Sequence, residues 1–429
     1  MANLDTGNGE CSAILVVGGG IAGVTCAIEA AEAGCQVVLV EKSAYLGGHV
    51  AAFHRYFPKL CPPPCGLEID FRRLQNNPRI TVFTLAELES LSGSAGNYEA
   101  VIKMAPRYVT GACTLCGECE RVCPVEIPDA FNCGITKTKA VRLPHRMAFP
   151  AQYVIDAGVC ANDCSLCADA CRYNAIDLKQ QETRKTLRVA SVVLATGWAP
   201  YDAAKIDNLG FGKYANVVTN VMMERMAAAD GPTGGKIVRP SDGKAPRAVA
   251  FVQCAGSRDR NHLPYCSGVC CTASIKQASY IRTQHPEAKI AMFYIDLRTP
   301  GHLEDFAAKA IAANGIELIK GKVGKVQEQP VSRDLLVTAE DILGRRKIAR
   351  EYDLVVLAVG IVPQSAGLPD SVTLDGANLD EFGFAANGGS GVYAAGCLKR
   401  PAEVAVSIRD ATGAALKAMQ SVAGRANHG

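Results

Sequence analysis

Ala13-Ile-Leu-Val-Val-Gly-Gly-Gly-Ile-Ala-Gly23 is a short apolar run that leads directly into a glycine-rich turn. The apolar part is typical of a buried strand, and a helical pattern follows the turn as far as Gly34, which is a helix stop signal. A second strand over Gln36–Val40 ends at Glu41. The stretch therefore predicts a complete βαβ unit with the G-x-G-x-x-G spacing of a dinucleotide-binding domain.

Each part of this motif has a physical role in holding a pyrophosphate. The glycines permit a tight turn and a close approach of the backbone, and the helix N-terminus favours the negative phosphates. The acid that ends the second strand suits a ribose hydroxyl. From this unit we expect cofactor-binding residues at Gly18, Gly20, Ile21, Ala22, Gly23, Glu41 and Lys42.

Three further segments favour FAD over NAD. Leu46-Gly47-Gly48 is similar to the flavoprotein extension of the motif, and Ala195-Thr196-Gly197 closes a predicted strand Val189–Leu194. Gly391-Val-Tyr-Ala-Ala-Gly396-Cys397 precedes a helical pattern from about Glu403 to Val422. That segment resembles the element that closes the flavin site in thioredoxin-reductase-like proteins. The element usually ends in Asp, which bonds the ribityl chain, whereas this chain has Cys397.

Eight cysteines in the middle of the sequence form two runs. The first, Cys113-x2-Cys116-x2-Cys119-x3-Cys123-Pro124, has the ferredoxin spacing for a [4Fe–4S] cluster. The second opens with a longer spacing and has Arg172 where Pro is usual. In two-cluster ferredoxins the fourth Cys of each run ligates the other cluster. The expected ligand sets are therefore Cys113, Cys116, Cys119 with Cys171, and Cys160, Cys164, Cys167 with Cys123. Structural zinc or plain buried thiols are the alternatives.

The composition limits the class of protein. A length of 429 residues suggests two to four domains, and a formal net charge of +3 gives no reason to expect nucleic acid as a partner. The 19 cysteines indicate a secreted disulfide protein or an intracellular metal protein. The N-terminus has no signal-peptide pattern, so we expect reduced thiols and a cytoplasmic location. The apolar stretch Ser12–Ile28 contains several glycines and is followed by Glu29 and Glu32, so no membrane span is expected.

A second nucleotide-binding frame is predicted without its glycine motif. Ala248–Gln253, Ala288–Tyr294 and Leu354–Ala358 have the pattern of strands. The place of the expected motif is taken by a sequence rich in cysteine, so the frame is interpreted as retained and its nicotinamide site as lost. Cys254, Cys266, Cys270 and Cys271 are candidates for a third cluster. The alternative is helix-packing cysteines, because Cys is often buried.

Together, the stretch Gln253–Cys271, the insertion Cys113–Cys171 and the segment Gly391–Cys397 resemble the A-type subunit (HdrA) of heterodisulfide reductase. The resemblance extends from Ala13 to about Ala418. It implies an α/β flavoprotein with two dinucleotide-binding domains of thioredoxin-reductase type and an inserted ferredoxin-like α+β iron–sulfur domain. It implies FAD and [4Fe–4S] clusters as cofactors, and B-type and C-type iron–sulfur subunits (HdrB-like and HdrC-like) as partners. A homodimer is also expected.

The resemblance further implies a role for Lys276, on the predicted helix Thr272–Gln284. In the family the lysine at this place in the motif lies by the flavin ring, so Lys276 is expected near N5 as a catalytic residue that favours the reduced flavin. From the sequence alone, a solvated surface lysine is the alternative. Because few cysteines follow Cys271, the chain is similar to the short form found in heterodisulfide-reductase-like complexes of sulfur-oxidising microbes.

The remaining cysteines are interpreted without metal. In Cys61-Pro-Pro-Pro-Cys65, prolines in polyproline II conformation would hold the two cysteines about 12 Å apart. A disulfide requires about 5–6 Å between Cα atoms, so the pattern favours a stiff loop over a ligand pair. We expect packing or incidental thiols at Cys11, Cys26, Cys35 and Cys133.

These features predict the organisation and the function. The flavin domain is expected from residues 1–106, 181–244 and 366–429, with the ferredoxin-like insertion at 107–180 and the NAD(P)-domain-like region at 245–365. The expected function is electron transfer between flavin and clusters by an oxidoreductase subunit, in sulfur-compound oxidation or disulfide/thiol chemistry. The alternatives are an NAD(P)H-dependent reductase similar to the small subunit of glutamate synthase, and a non-catalytic metal scaffold.

Overall fold

The computed structural model describes residues 13–161, 163–375, 378–386 and 391–426. The chain divides into two compact units, of which the first takes in Met1–Trp198 and Pro363–Gly429 and the second Ala199–Val362. Cys11 lies outside the described residues. Among the helices that are described, none has both the length and the apolar composition needed to cross a membrane.

A five-stranded parallel sheet forms the centre of the first unit. Its first strand pairs on one side with the strand that ends at Glu41 and on the other with the strand that ends at Leu194. Ile14 and Leu15 are fully buried, as expected for a parallel strand covered on both faces. In order across the sheet, the strands are Val392–Ala394, Ser191–Leu194, Ala13–Val17, Gln36–Glu41 and Ile80–Thr84.

Helices cover this sheet through small side chains. Ile21–Glu32 contacts the long helix Val404–Ala426, and alanines such as Ala27 and Ala415 are buried in their shared core. The close approach depends on these small residues, because larger side chains would separate the helix axes. The other helices of the unit are Gly48–Ala52, Pro64–Asn76 and Asp370–Asp375, with a 3₁₀ turn at Gly396–Leu398.

The insertion begins and ends at an antiparallel sheet of three strands, Ala86–Ser94, Asn97–Met104 and Thr183–Val189. Met104 and Thr183 face each other across neighbouring strands, so both ends of the insertion lie together. Its own core contains three of its cysteines, Cys119, Cys123 and Cys167. Its elements are short: helices Glu118–Val122, Ala157–Val159 (3₁₀) and Leu166–Asp169, and strands Glu126–Pro128, Lys137–Lys139, Val141–Arg142 and Val154–Ile155.

The second unit has its own parallel sheet, with strands Val217–Thr219, Leu354–Val359, Ala248–Ala255, Lys289–Tyr294 and Ile316–Lys320 in that order. The buried central strands are apolar throughout, as is typical of parallel sheets. Its helices are Asn220–Ala227, Cys270–Gln284 and Leu303–Ala313, with 3₁₀ turns at Ala203–Lys205 and Asp207–Leu209. An antiparallel sheet follows, formed by Val323–Glu328, Leu335–Asp341 and Arg346–Tyr352. The connections between the units carry the short strands Trp198–Pro200 and Ile361–Pro363.

Two expectations from the sequence differ from the structure. The boundary placed between residues 244 and 245 falls inside the second unit, because Val217–Thr219 is a strand of the second sheet. The extended conformation expected for Cys61-Pro-Pro-Pro-Cys65 is wrong. Pro63 has helical dihedral angles (φ −49°, ψ −40°), and Pro64 begins a helix, a position where proline is favoured because its φ is already helical.

Arg107 fastens the insertion to the rest of the first unit. Its Nη2 donates to the Ala44 carbonyl at 2.6 Å and to Thr84 Oγ1 at 2.7 Å. Its Nη1 donates to the carbonyls of Gln152 and Tyr153, both at 3.3 Å. Burial lowers the pKa of Arg107 to about 10, so the guanidinium remains charged at neutral pH. One side chain thus joins two strand ends of the frame to the far side of the insertion.

We expect Arg107→Ala to loosen the insertion, because four oxygen acceptors lose their donor and each buried acceptor left unpaired costs about 1–3 kcal/mol. Limited proteolysis of the holoprotein should then cut between residues 105 and 182 several-fold faster than in the parent. Arg184→Ala is the matched control, since it removes an exposed ion pair with Glu89, and such pairs contribute about 0–1 kcal/mol. Equal cleavage rates for Arg107→Ala and the parent would contradict the fastening role.

Candidate flavin and iron–sulfur sites

The glycine turn after the first strand is closed by backbone contacts. Gly18 has a φ of +109°, in the left-handed region that favours glycine, and its N–H donates to the Val40 carbonyl at 2.7 Å. A Cβ at Gly18 would overlap the Ala195 carbonyl oxygen, and a Cβ at Gly23 would overlap the Gly18 carbonyl oxygen. The first and last glycines of the motif are therefore required for packing between strand and helix.

Gly20 differs from these glycines, because it borders open space. Its backbone is extended, and no heavy atom of the described, non-adjacent residues lies within 4 Å of the position that its Cβ would occupy. It precedes the 12-residue helix Ile21–Glu32, whose N-terminus has no side-chain cap. The N–H groups of this first turn, which includes Ala22, are suited to an anion. The space beside Gly20 thus fits a pyrophosphate.

Glu41 ends the second strand and lies against the glycine turn. Its Oε2 accepts the Gly19 N–H at 2.6 Å, and its Oε1 accepts the Ser43 N–H at 2.6 Å. These bonds orient the carboxylate and leave lone pairs for a ribose hydroxyl. Lys42 points away from the turn, with 76% of its side chain exposed and its Nζ 3.3 Å from Glu87 Oε2.

Gly47, Gly48 and the segment Ala195-Thr196-Gly197 lie at the same edge of the sheet as the glycine turn. The Gly47 N–H donates to the Gly19 carbonyl at 2.8 Å. A Cβ at Gly48 would approach the Gly20 Cα to 3.0 Å, so the two glycine segments are in close contact. Ala195-Thr196-Gly197 directly follows the neighbouring strand, so the structure brings these predicted segments together.

A carboxylate on the following helix contacts the predicted closing element. The Gly396 N–H donates to Asp410 Oδ2 at 2.9 Å, and Lys399 Nζ donates to Asp410 Oδ1 at 2.7 Å. Cys397 is buried, its thiol donates to the Ala402 carbonyl at 3.3 Å, and burial raises its pKa. Asp410 lies on the following helix, 14 residues from Gly396. The sequence motif gave no local signal for this acid.

His49 and Trp198 form a second feature that the sequence motifs did not indicate. Their rings stack at 4.1 Å between centroids with 25° between planes, and His49 Nε2 donates to the Trp198 carbonyl at 2.7 Å. Burial lowers the pKa of His49, so the imidazole is neutral at pH 7. The pair joins the residue after Gly48 to the residue after Gly197, at the same edge of the sheet.

The insertion brings together the first predicted set of thiols. A pocket that is partly open to solvent is lined by Cys113, Cys116, Cys119 and Cys171. Burial, with added effects from the neighbouring charges of Cys113 and Cys116, raises the pKa of Cys119 to about 11. The Ala175 N–H donates to the Cys171 sulfur at 3.3 Å. Three cysteines of the first run thus share a cavity with the last cysteine of the second.

The reciprocal set is also close together. Burial raises the pKa of Cys160, and the nearby charges of Cys123 and Cys164 raise it further. Burial likewise raises the pKa of Cys167, with a further contribution from Cys164 and Cys160. The last cysteine of the first run therefore lies among the first three of the second, which is the crossed arrangement of two-cluster ferredoxins.

The third set of thiols lines a small pocket in the second unit. Cys254 lies near the end of a central strand with φ +56°, where the pairing with the neighbouring strand is irregular. Cys270 and Cys271 are in the first turn of the helix Cys270–Gln284, and the Gly268 N–H donates to the Cys266 sulfur at 3.4 Å. Burial raises the pKa of Cys254 to about 11 and raises the pKa of Cys270 and Cys271.

Cationic side chains lie beside this third set. Arg258 and Arg298 both line the cavity, and Arg258 Nη2 pairs with Asp296 Oδ2 at 3.0 Å. Among the residues that the structure describes, the other terminal nitrogen of Arg258, Nη1, is buried and has no hydrogen-bond partner. Thiols that bind a metal cluster lose their protons and become anionic, so a guanidinium with an unused donor fits a negatively charged group in this cavity. In the part of the chain that the structure describes, no group of three or more His, Cys, Asp or Glu converges as the ligands of a single metal ion would.

Lys276 is buried in the second unit, on the helix that begins at Cys270. The residue is 5% exposed, and its Nζ lies 3.1 Å from Glu224 Oε1. Gln277 Nε2 donates to the same oxygen at 2.7 Å. The alternative of a solvated surface lysine is therefore wrong, and Glu224 is a partner that no sequence motif indicated.

Comparison with known proteins agrees with this architecture. Residues 13–58 match the family model described as FAD dependent oxidoreductase. The fold is similar to that of thioredoxin reductase from T. acidophilum (TM-score 0.52, 16% identity, 97% of this chain and 99% of that one). It is also similar to thioredoxin reductase from Lactococcus lactis (TM-score 0.51, 12% identity, 96% and 99%). At these identities the likeness concerns the fold alone, which is the expected thioredoxin-reductase-like α/β fold.

Closer relatives are found among methanogen proteins. The chain is 37% identical to the second A-type iron–sulfur subunit of the CoB–CoM heterodisulfide reductase of Methanopyrus kandleri, over 95% of this chain and 64% of that protein. It is 36% identical to the A-type subunit of the ferredoxin/F420H2-dependent CoB–CoM heterodisulfide reductase of Methanosarcina acetivorans, over 95% of this chain and 53% of that protein. The chain thus spans about half to two thirds of the length of these relatives. Similarity at this level along nearly the whole chain shows that it belongs to the HdrA family, the A-type subunits of heterodisulfide reductase.

Proposed function

We propose that this chain is an FAD- and iron–sulfur-containing oxidoreductase subunit that passes electrons between a flavin and [4Fe–4S] clusters. The observation that supports it best is the crossed arrangement of eight thiols in the same unit as an open glycine turn. The flavin exchanges electron pairs, and each cluster carries single electrons. Gly18, Gly20, Gly23 and Glu41 would hold the FAD, together with the segments at Gly48, Gly197 and Gly396.

The residues of the chain would set the conditions for this transfer. The buried thiols are protonated when metal-free, so cluster binding displaces their protons and couples assembly to folding. Backbone N–H groups directed at sulfur, as at Cys171 and Cys266, and the nearby Arg258 favour the reduced form of a cluster, because they stabilise negative charge. The neutral His49 would fix the ring of Trp198 beside the flavin segments.

The proposal extends to the setting of the reaction. Its relatives are named as subunits of heterodisulfide reductases, so we propose HdrB-like and HdrC-like iron–sulfur subunits as partners, with a homodimer of this chain at the centre. We further propose that it works in the cytoplasm, in sulfur-compound oxidation or in disulfide/thiol redox chemistry. An NAD(P)H-dependent reductase is less favoured. After Ala248–Ala255, a cysteine-lined loop takes the place of a glycine turn that would hold a second pyrophosphate.

Gly20→Val is expected to abolish retention of FAD, because the new side chain would fill the space beside the uncapped helix while the backbone conformation allows valine. The measurement is the flavin content of purified protein, with the extracted cofactor identified by chromatography. Gly413→Val is the matched control, since a Cβ there also meets no atom within 4 Å. FAD content equal to that of the parent, or NAD as the extracted cofactor, would contradict the assignment of an FAD site beside Gly20.

Cysteine replacements should remove iron in the crossed pattern. Cys171→Ser is expected to lose the cluster of Cys113, Cys116 and Cys119, and Cys123→Ser the cluster of the second run, each amounting to about four iron atoms per chain. The double change Cys270→Ser and Cys271→Ser should remove a further cluster. Iron and sulfide counts with electron paramagnetic resonance distinguish the losses.

The control for these replacements is Cys133→Ser, an exposed cysteine of the insertion outside every proposed ligand set. It should retain the iron content of the parent. Zinc in place of iron, or unchanged iron in the ligand variants, would refute the cluster assignment and favour the scaffold alternative.

Lys276→Met is expected to lower the midpoint potential of the flavin, because we propose that this cation lies near N5 and favours the reduced flavin. Lys276→Arg should restore most of the shift. Glu224→Gln is the matched control: it breaks the same ion pair but keeps the cation, so the potential should stay or rise. If Lys276→Met and Glu224→Gln lower stability alike and leave the potential unchanged, Lys276 has only a structural role.

A further inference from the structure

Cys61 and Cys65 lie on one tight turn, outside the sites described above. The Cys65 N–H donates to the Pro62 carbonyl at 3.1 Å, and the Leu67 N–H donates to the Pro63 carbonyl at 3.1 Å. The chain is therefore already coiled over residues 62–67. Cys61 directly precedes this coiled segment and Cys65 lies within it, so the turn keeps the two cysteines close together.

The two thiols also face each other. The Cys61 side chain is within hydrogen-bonding distance of Cys65, and this bond, with the charge of the neighbouring sulfur, raises the pKa of Cys61. Cys61 consequently holds its proton in the reduced pair. Cys65 is exposed and Cys61 is half-buried. The geometry provides an accessible sulfur nucleophile with a protonated thiol beside it.

Two neighbouring features hold this turn in place. The Tyr56 N–H donates to the Cys61 carbonyl at 3.1 Å, and the Tyr56 hydroxyl lies over Gly66, the residue after Cys65. Cys65 is in the first turn of the 13-residue helix Pro64–Asn76. The pair is therefore ordered by secondary structure on both sides, unlike two cysteines in a mobile loop.

We propose that Cys61 and Cys65 are a redox-active dithiol that reduces low-molecular-weight disulfides. The Cys65 thiolate attacks one sulfur of the disulfide RSSR and forms a mixed disulfide, while RS⁻ leaves. Cys61 then loses its proton and attacks the Cys65 sulfur, which releases the second RS⁻ and forms the Cys61–Cys65 disulfide. The two electrons of the dithiol pass to RSSR, and the two protons end on the two RSH products. This activity needs neither FAD nor clusters, so it goes beyond the function proposed above.

A peptide between two tryptic sites isolates this chemistry from the other cysteines. Cleavage after Lys59 and Arg72 gives residues 60–72, which contain Cys61 and Cys65 and no other cysteine. The anaerobically purified holoprotein is reduced, desalted, exposed to oxidised glutathione, quenched with acid and alkylated. Mass spectrometry should find this peptide unalkylated and two hydrogens lighter, and dithiothreitol should restore two alkylated thiols.

Variants separate the two sulfur roles. Cys61→Ser should stop at a mixed disulfide of glutathione on Cys65, and Cys65→Ser should abolish the rapid reaction at this peptide. Cys133→Ser, the exposed control, should leave the peptide's reaction rate unchanged. Iron and flavin contents should equal those of the parent in all three variants.

Two results would overturn the proposal. One is a peptide that stays fully alkylated after exposure to oxidised glutathione. The other is loss of bound iron or zinc on changing both cysteines to Ser, since the pair would then be a ligand pair. Both are independent of the flavin and cluster assignments, so failure here is distinguishable from failure of the proposed function.

Discussion

The close contact between Gly18, Gly23 and the end of the neighbouring strand is the constraint on which the flavin site depends. A side chain at Gly18 or Gly23 would overlap a backbone carbonyl oxygen, so the helix cannot approach the sheet unless both are glycine. Only this approach lets three distant chain segments end at one edge: the Ala195 N–H donates to the Val17 carbonyl, and the Ala395 N–H donates to the Leu194 carbonyl. The open space at Gly20 is a consequence of the packing around it. Its neighbours in the motif hold the backbone in place, while the position that a Gly20 Cβ would occupy meets no described atom within 4 Å.

In the insertion, the stability of the fold would depend on metal binding. Its core contains Cys119, Cys123 and Cys167 beside few large apolar side chains, and its helices and strands are too short to be stable alone. Burial raises the pKa of Cys119 and Cys167, so the metal-free insertion holds protonated sulfur in its interior. Cluster assembly would replace those protons with iron and add covalent cross-links. Arg107 then matters because it holds this small domain against the frame through bonds to four oxygen acceptors.

Features that depend on local sequence were predictable, and features that depend on distant residues were not. The βαβ unit follows from an apolar run and glycines within a few residues of one another, and its bounds agree with the structure to within a residue or two. The crossed neighbourhood of the ferredoxin cysteines follows from two spacings. Asp410, Glu224 and the His49–Trp198 pair could not be found this way, because each depends on packing between segments with no shared motif. The coiling of Cys61–Cys65 was missed for a related reason, since the hydrogen bonds of a helix start decided the conformation of the prolines.

The third set of thiols and the glycine turn follow the same physical principle, each within its own unit. In open parallel sheets, ligands bind beyond the carboxyl ends of the strands, where loops are free to vary. The first unit uses that edge for a glycine turn. In the second unit the corresponding strand Ala248–Ala255 runs into a loop with Cys254 in a left-handed conformation, then Cys266, and then a helix that begins with Cys270 and Cys271. A glycine turn that would hold phosphate and a set of thiols that would hold a cluster thus occupy equivalent places in two similar sheets. The same architecture accommodates either one, because the sheet fixes only where the loop begins and ends, and the residues of the loop decide which group it binds.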